Sequence, residues 1–339
     1  MMYKLVITLS IVAICVGFTM AGLSIEAFSP YRTFLVEEKI SFKNLAKDAH
    51  NIQIWIPRPV KDKWQVVEDF KLSGPFDIST ITDREYENKI IYINARPVGL
   101  KEDAALQIML SFKVRRKEYG ISNTDSSFGK NIKRFLKPDR LVPVDGKIRT
   151  LARHITQGKP GDIEKARAVY DYIIDEITYS KDDPNVCGVG DSLLTLEHKK
   201  GICTDYHSLF ISLVRSLGIP AKFEIGFRIP ADKEQGMLNG YHCWAKFYIN
   251  GIGWIPVDIS EADKNPRKRD YFFGHIDENR IHLTTGRDIR LKNAQDSQPL
   301  NFFIYPYAEV NGSIFKDIDI EISFKEVRGG GPREKDYNL

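Results

Sequence analysis

The feature that most constrains the fold is a change in the spacing of apolar residues along the chain. Between residues 31 and about 118, apolar and polar side chains alternate, which is typical of strands with one buried face. The most regular run comprises Leu106, Ile108, Leu110, Phe112 and Val114. From about residue 146 the apolar residues recur every three or four positions, which predicts helices, and further alternating segments follow. The sequence therefore predicts an α+β fold.

These changes of pattern divide the 339 residues into five segments. Residues 1–27 form an apolar N-terminal stretch. Residues 28–120 are predicted to form an antiparallel, β-sandwich-like domain, and residues 121–139 a polar linker. Residues 140–327 are predicted to form a second domain that contains the helices and ends in a β extension. The glycine-rich residues 328–339 are predicted to be a disordered tail.

The N-terminal stretch has the pattern of a targeting signal. Lys4 precedes a long apolar run from Leu5 to Ile25. This run is about long enough to span a bilayer if it is not cleaved. We therefore expect the protein to be exported to the periplasm, the cell envelope or the extracellular space, either secreted or attached to a membrane through its N-terminus.

Charge and composition exclude two other classes of protein. Hydrophobic residues make up 42% and charged residues 28% of the chain, which is ordinary for a globular protein and argues against intrinsic disorder. The formal net charge is +4, but Lys and Arg are interspersed with Asp and Glu. Because no basic run or stripe is present, we expect no nucleic-acid partner.

The cysteine count suggests a functional thiol. Cys15 lies in the apolar stretch, which leaves Cys187, Cys203 and Cys243, an odd number, in the rest of the chain. At least one thiol is then unpaired within the chain, either as a small core residue or as a reactive group. Cys203 begins a predicted helix, where free N–H groups and the helix dipole stabilise a thiolate. The same N–H groups can hold the oxyanion of a tetrahedral intermediate.

Two histidines are candidates for a base that serves Cys203. His207 lies four residues further on, near the same helix face, so a Cys203/His207 dyad is one possibility. A zinc site that also includes His242 is another. His242 lies in a predicted strand and is the preferred base. Strand alternation places Cys243 on the face opposite to His242, which predicts a core thiol rather than a second nucleophile.

The partner of His242 depends on the geometry of a hairpin. Asn250 and Gly251 mark a turn between two predicted strands. A two-residue loop would pair His242 with Ile259 and point Asp258 to the other face. A three-residue loop that begins one residue earlier would place His242 directly opposite Asp258, where the carboxylate can orient the imidazole.

Two stretches resemble bacterial transglutaminase-like proteins, which are related to papain. They are GICTDYHSLFISLVRSLGIPAKFEIGFR, from Gly201 to Arg228, and GYHCWAKFYINGIGWIPVDISEA, from Gly240. The resemblance covers residues from about 140 to 260. It extends over YFFGHIDENRIHLTTGRDIRL and PLNFFIYPYAEVNG, which resemble the C-terminal part of an exported subgroup. It implies a papain/transglutaminase-like core in which helices pack on an antiparallel sheet, preceded here by the antiparallel β domain.

The resemblance also implies a chemistry. It assigns Cys203 as the nucleophile, His242 as the base and Asp258 as the acid that orients the base. A thiolate would attack a peptide or protein amide, and an amine or water would resolve the acyl-enzyme, without a cofactor or a metal ion. Tyr179 is a candidate for an aromatic side chain that assists the oxyanion. The alternative is a non-catalytic module on the same fold that binds a peptide or protein of the cell envelope.

Overall fold

The computed structural model describes most of the chain that follows the N-terminal stretch. It covers residues 31–46, 48–74, 76–95, 106–124, 132–295 and 298–327. The predicted targeting segment, residues 1–27, and the predicted tail, residues 328–339, lie outside this part. No helix within the covered ranges is both long and apolar enough to cross a membrane.

Strands dominate both ends of the described chain, and helices lie between them. The first group is β1 (Tyr31–Phe42), β2 (Ile52–Pro57), β3 (Gln65–Ser73), β4 (Asp77–Thr82), β5 (Lys89–Ala95), β6 (Leu106–Lys117) and β7 (Tyr119–Gly120). The central group is α1 (Gly146–Ile155), α2 (Asp162–Glu176), β8 (Thr178–Tyr179), α3 (Ser192–His198), β9 (Lys200–Gly201), α4 (Cys203–Ser216), β10 (Ala221–Arg228), β11 (Gln235–Met237), β12 (His242–Ile249), β13 (Gly253–Val257) and α5 (Ile259–Lys264). The last group is β14 (His275–Ile276), β15 (Arg280–Thr285), β16 (Tyr307–Val310), β17 (Ser313–Phe315) and β18 (Ile318–Glu326). Short 3-10 helices span Ile121–Asn123, Ile132–Leu136 and Pro266–Lys268.

The alternating segments form two five-stranded antiparallel sheets. Their strand orders are β11-β18-β1-β6-β3 and β17-β16-β2-β5-β4. In β6 every second residue from Leu106 to Val114 is buried, as the alternation predicts. These side chains share one apolar core with residues of β1, β2 and β5. In β2 the residues between Ile52 and Pro57 are buried on both faces, because Trp55 packs into a second cluster with Ile289 and Phe303.

The C-terminal strands complete the N-terminal sheets. β18 pairs with β1 from Phe34 to Phe42, and β16 pairs with β2. Of the predicted C-terminal β extension, β15 joins the sheet that contains β12, whereas β16, β17 and β18 add to the β1 and β2 sheets. Without β18, one edge of β1 would expose unpaired backbone groups. We propose that the first and last β segments form a single folding unit.

The helix-containing part is built around α4. A four-stranded antiparallel sheet, in the order β13-β12-β10-β15, packs against one side of α4, and α1, α2 and α3 contact the helix as well. All residues of α4 from Cys203 to Arg215 are buried. Its buried polar side chains are paired: Arg215 donates to Asp139 at 2.7 Å, and Ser212 donates to the Pro143 carbonyl. Helices packed on an antiparallel sheet confirm the predicted α+β class.

The hairpin between β12 and β13 differs from both predicted forms. Tyr248 pairs with Trp254 and Ile249 with Gly253, which leaves a loop of residues 250–252. This loop has three residues, but it begins one residue later than predicted. Gly251 and Gly253 both have positive φ angles, of 80° and 114°, which favour glycine and set this register. The strand pairing ends at Val257, so His242 and Asp258 are not cross-strand neighbours.

We expect β18 to contribute strongly to stability through Phe324. This ring is 3% exposed and packs edge-on against Phe34, with 6.1 Å between ring centroids. Phe324→Ala should lower the free energy of unfolding by about 3–5 kcal/mol in chemical denaturation. Glu321→Ala is the matched control on the same strand, because its side chain is 59% exposed, and should cost less than about 1 kcal/mol. Equal, small losses in both variants would contradict the shared core.

Candidate active site

Cys203 lies at the first position of α4 and is 3% exposed. Asp205, in the same first turn, fixes the entry into the helix. Its carboxylate accepts backbone N–H groups from Ile202 at 2.7 Å, Gly188 at 2.6 Å and Gly190 at 2.7 Å. The preceding loop and the start of the helix are thereby held together, with Cys203 at the positive end of the helix dipole.

His242 and Asp258 are in direct contact, as predicted, although they are not paired across the hairpin as that prediction assumed. His242 Nε2 lies 2.7 Å from Asp258 Oδ2, and both residues are buried. Asp258 directly follows β13 and caps α5, where its Oδ1 accepts the Glu261 N–H at 3.1 Å. An aspartate followed three residues later by a glutamate is a typical helix start, so this signal was present in the sequence.

The structure brings all three predicted residues together. His242 Nε2 bonds to Asp258 Oδ2, and His242 and Cys203 both line one cleft. Burial alone would lower the pKa of His242, but the charge of Asp258 and the bonds to Asp258 and Cys203 outweigh it and raise this pKa to about 9. The pKa of Cys203 is held well below its ordinary value, first by a hydrogen bond from Cys243 and then by His242, against the effect of burial. At neutral pH this arrangement favours a thiolate–imidazolium pair.

Arg280 is part of this site and was missed by sequence reasoning. Its Nη2 donates to Asp258 Oδ2 at 2.7 Å and its Nη1 to Asp277 Oδ1 at 2.7 Å, in a fully buried setting. Burial would raise the pKa of Asp258, but His242 and Arg280 hold it well below its ordinary value. Arg280 lies on β15, far along the chain, and no local pattern singles it out.

His207 supports the backbone of the site. Its Nε2 accepts the Ile259 N–H at 3.0 Å, so the ring carries its proton on Nδ1, which donates to the Cys203 carbonyl at 2.7 Å. Burial lowers the pKa of His207 and keeps it neutral. Both ring nitrogens are therefore occupied, and His207 serves neither as a base nor as a zinc ligand. Within the described ranges no cluster of three or more His, Cys, Asp or Glu side chains is arranged to hold a metal ion.

Cys243 and Trp244 lie on opposite faces of β12. Cys243 is buried against α4, with its Sγ 3.7 Å from His207 Nδ1, and burial raises its pKa well above the ordinary value. It is a neutral core thiol, as predicted, but packing places it beside Cys203, which alternation alone does not predict. The Trp244 ring lies 6.2 Å from the His242 ring, and its indole N–H donates to Glu224 at 2.8 Å.

A cleft of about 370 Å³ opens over Cys203 and His242. One wall is the chain from Met237 to Tyr241, and the opposite wall includes Tyr179 and residues of α5. Tyr179, the predicted aromatic neighbour of the nucleophile, lines this cleft, and Lys264 Nζ lies 4.0 Å from the centre of its ring. A substrate in the cleft can therefore reach the thiol.

Comparisons with known proteins agree with this geometry. Residues 149–259 match the model of the transglutaminase-like superfamily, a range that contains all three predicted catalytic residues. An uncharacterised protein of Haemophilus influenzae is 26% identical over 309 residues, which is 78% of this chain and 82% of the relative. The uncharacterised protein YebA of Bacillus subtilis is 30% identical over 137 residues, or 35% of this chain and 18% of the relative.

A solved structure shares the fold. A protein of Cytophaga hutchinsonii, described as a candidate cysteine protease, superposes with a TM-score of 0.58 at 17% identity and covers 90% of this chain and 93% of its own. This similarity extends the agreement from the helix-containing part to the β sheets. In residues 149–259, then, this chain is similar to the transglutaminase-like superfamily.

Proposed function

We propose that the protein is an exported, cofactor-free cysteine enzyme that transfers acyl groups from peptide or protein amides. Cys203 is the nucleophile, His242 the acid–base group and Asp258 its orienting carboxylate. The observation that carries this proposal is that Cys203, at the first position of α4, shares an open cleft with His242, whose Nε2 lies 2.7 Å from Asp258 Oδ2. The lowered pKa of Cys203 and the raised pKa of His242 agree with this arrangement. A binding module has no need for such an ion pair.

The first chemical step uses the helix terminus. The Cys203 thiolate attacks the carbonyl carbon of the amide and forms the C–S bond, and the carbonyl oxygen becomes an oxyanion. The N–H groups of Cys203 and Thr204 are the first two of α4, have no carbonyl acceptor within the helix and stabilise this oxyanion. The imidazolium of His242 then donates its proton to the amide nitrogen. The C–N bond breaks, and an amine and a thioester result.

The second step regenerates the thiolate. Water or an amine attacks the thioester, and neutral His242 removes the proton from the attacking group. His242 Nε2 is engaged by Asp258 throughout, which leaves Nδ1 to exchange protons with substrate. Arg280 keeps Asp258 ionised, so Asp258 orients the ring and stabilises its charge without being protonated.

The site of action is proposed to be outside the cytoplasm. The support is Lys4 and the apolar run from Leu5 to Ile25, which have the composition of an export signal. The protein would then act on peptides or proteins of the periplasm, the cell envelope or the medium.

Replacement of the nucleophile tests the proposed function. Cys203→Ala should abolish both turnover of a panel of glutamine-containing and other peptide amides and the acyl adduct seen by intact mass. Its unfolding midpoint should stay close to that of the parent, because little volume is lost. Cys187→Ala, which removes another buried thiol, one that does not line the cleft, is the matched control and should retain activity. Unchanged turnover by folded Cys203→Ala would refute the assignment.

Replacement of Cys243 tests how the thiolate is stabilised. Because Cys243 is the largest cause of the lowered pKa of Cys203, Cys243→Ala should raise this pKa towards the ordinary value of about 8.5. Less thiolate is then present at pH 7, so alkylation of Cys203 by iodoacetamide should be slower. The measurement is the alkylation rate against pH, followed by peptide mass. An unshifted profile in Cys243→Ala would assign the whole effect to His242 and the helix dipole.

A further inference from the structure

The cleft over Cys203 carries an excess of positive charge. Lys181, Arg228 and Lys264 line it together with a single carboxylate, that of Glu261. Three cations against one anion leave an excess of two positive charges. The catalytic pair does not change this sum, because the thiolate of Cys203 and the imidazolium of His242 cancel. A cleft lined by one sign of charge attracts ligands of the opposite sign.

Two of the cations are held in place. Arg228 Nε lies 3.0 Å from Glu261 Oε2, and Lys264 Nζ lies 3.1 Å from Glu261 Oε1. Lys264 also lies over the Tyr179 ring, 4.0 Å from its centre. The Glu261 carboxylate is only 10% exposed, whereas the side chains of Arg228 and Lys264 are 43% and 39% exposed. One carboxylate thus positions two cations and leaves both accessible to a ligand.

The third cation is not neutralised. Lys181 is exposed, and within the ranges that the structure covers it has no carboxylate within ion-pair distance. It follows β8, which contains Tyr179, on the α5 side of the cleft. Lys181, Lys264 and Arg228 thus all line the cleft, and the last two meet at Glu261.

Two of the charged residues of the cleft, Glu261 and Lys264, lie on the helix whose first residue is capped by the partner of His242. Asp258, which binds His242, is also the N-cap of α5, and Glu261 and Lys264 follow in the same helix. The opposite wall, from Met237 to His242, continues from β11. β11 pairs only with β18 among the strands described, so its other edge is available to an extended peptide.

We propose that the cleft selects amide substrates that carry a carboxylate close to the reacting amide, as an acidic peptide does. This inference rests on the proposed function and specifies its substrate class. The carboxylate would be held by Arg228 and the two lysines, at a fixed distance from Cys203. The source of the carboxylate is either an acidic side chain or the C-terminus of the peptide.

A pair of alkylating reagents tests this charge selection without any turnover. Iodoacetate carries a carboxylate and iodoacetamide does not. The alkylation rate of Cys203 with iodoacetate is divided by its rate with iodoacetamide, and the result is divided by the same ratio for the free thiol 2-mercaptoethanol. This normalised ratio should exceed one in the parent protein and fall towards one in high salt. Arg228→Gln and Lys181→Gln should each lower the ratio by about two- to tenfold. Glu261→Gln should raise it, because it removes the one anion. Lys147→Gln, on the exposed face of α1, is the control of equal charge change and should leave the ratio unaltered.

The outcomes separate this inference from the proposed function. All of these variants keep Cys203, His242 and Asp258, so differences among them report the cleft charges. Equal ratios in all variants would overturn the charge selection even if peptide amides are turned over.

If the ratios change as expected, a second experiment identifies the source of the carboxylate. It compares kcat/KM for peptides of one length that contain Glu, Gln or Lys beside the amide and that have a free or an amidated C-terminus. A kcat/KM order with Lys above Glu would also overturn the inference. Failure of every amide to react, with the ratios as expected, would refute the acyl-transfer function alone.

Discussion

The site depends on one buried carboxylate, that of Asp258. It accepts hydrogen bonds from His242 and Arg280 on Oδ2 and from Ser260 and the Glu261 N–H on Oδ1. A carboxylate that is fully removed from water is strongly destabilising unless such partners surround it. With them it remains ionised, and its charge then raises the pKa of His242. Together with Cys243, that imidazolium stabilises the thiolate on Cys203.

The surrounding fold holds three chain segments at this carboxylate. Asp258 directly follows the strand β13, His242 begins the neighbouring strand β12, and Cys203 begins the helix α4 that packs on β12. His207 joins the first and the last of these, because its ring bridges the Cys203 carbonyl and the Ile259 N–H. Cys203 and the segment that begins at Asp258 are therefore linked through the neutral ring of His207.

The sequence predicts those structural features that depend on residues close together in the chain. The start of α4 at Cys203 follows from helical spacing, and its α+β setting follows from the change of periodicity near residue 146. The hairpin register was predicted incorrectly, because two glycines with positive φ angles move the loop by one residue. Arg280 and the pairing of β18 with β1 depend on contacts between residues far apart in sequence, and no local pattern reports them.

The protonation states of the two site histidines provide the most direct measurement of the central claim. Nitrogen NMR of the imidazole rings, assigned with single-histidine variants and followed from about pH 5 to pH 10, distinguishes charged from neutral rings and one tautomer from the other. The account predicts that His242 stays protonated up to a pKa of about 9, because Asp258 and Cys203 outweigh its burial. It also predicts that His207 stays neutral at neutral pH, with its proton on Nδ1. A His242 ring that titrates near the ordinary value of about 6.5 would contradict the thiolate–imidazolium pair.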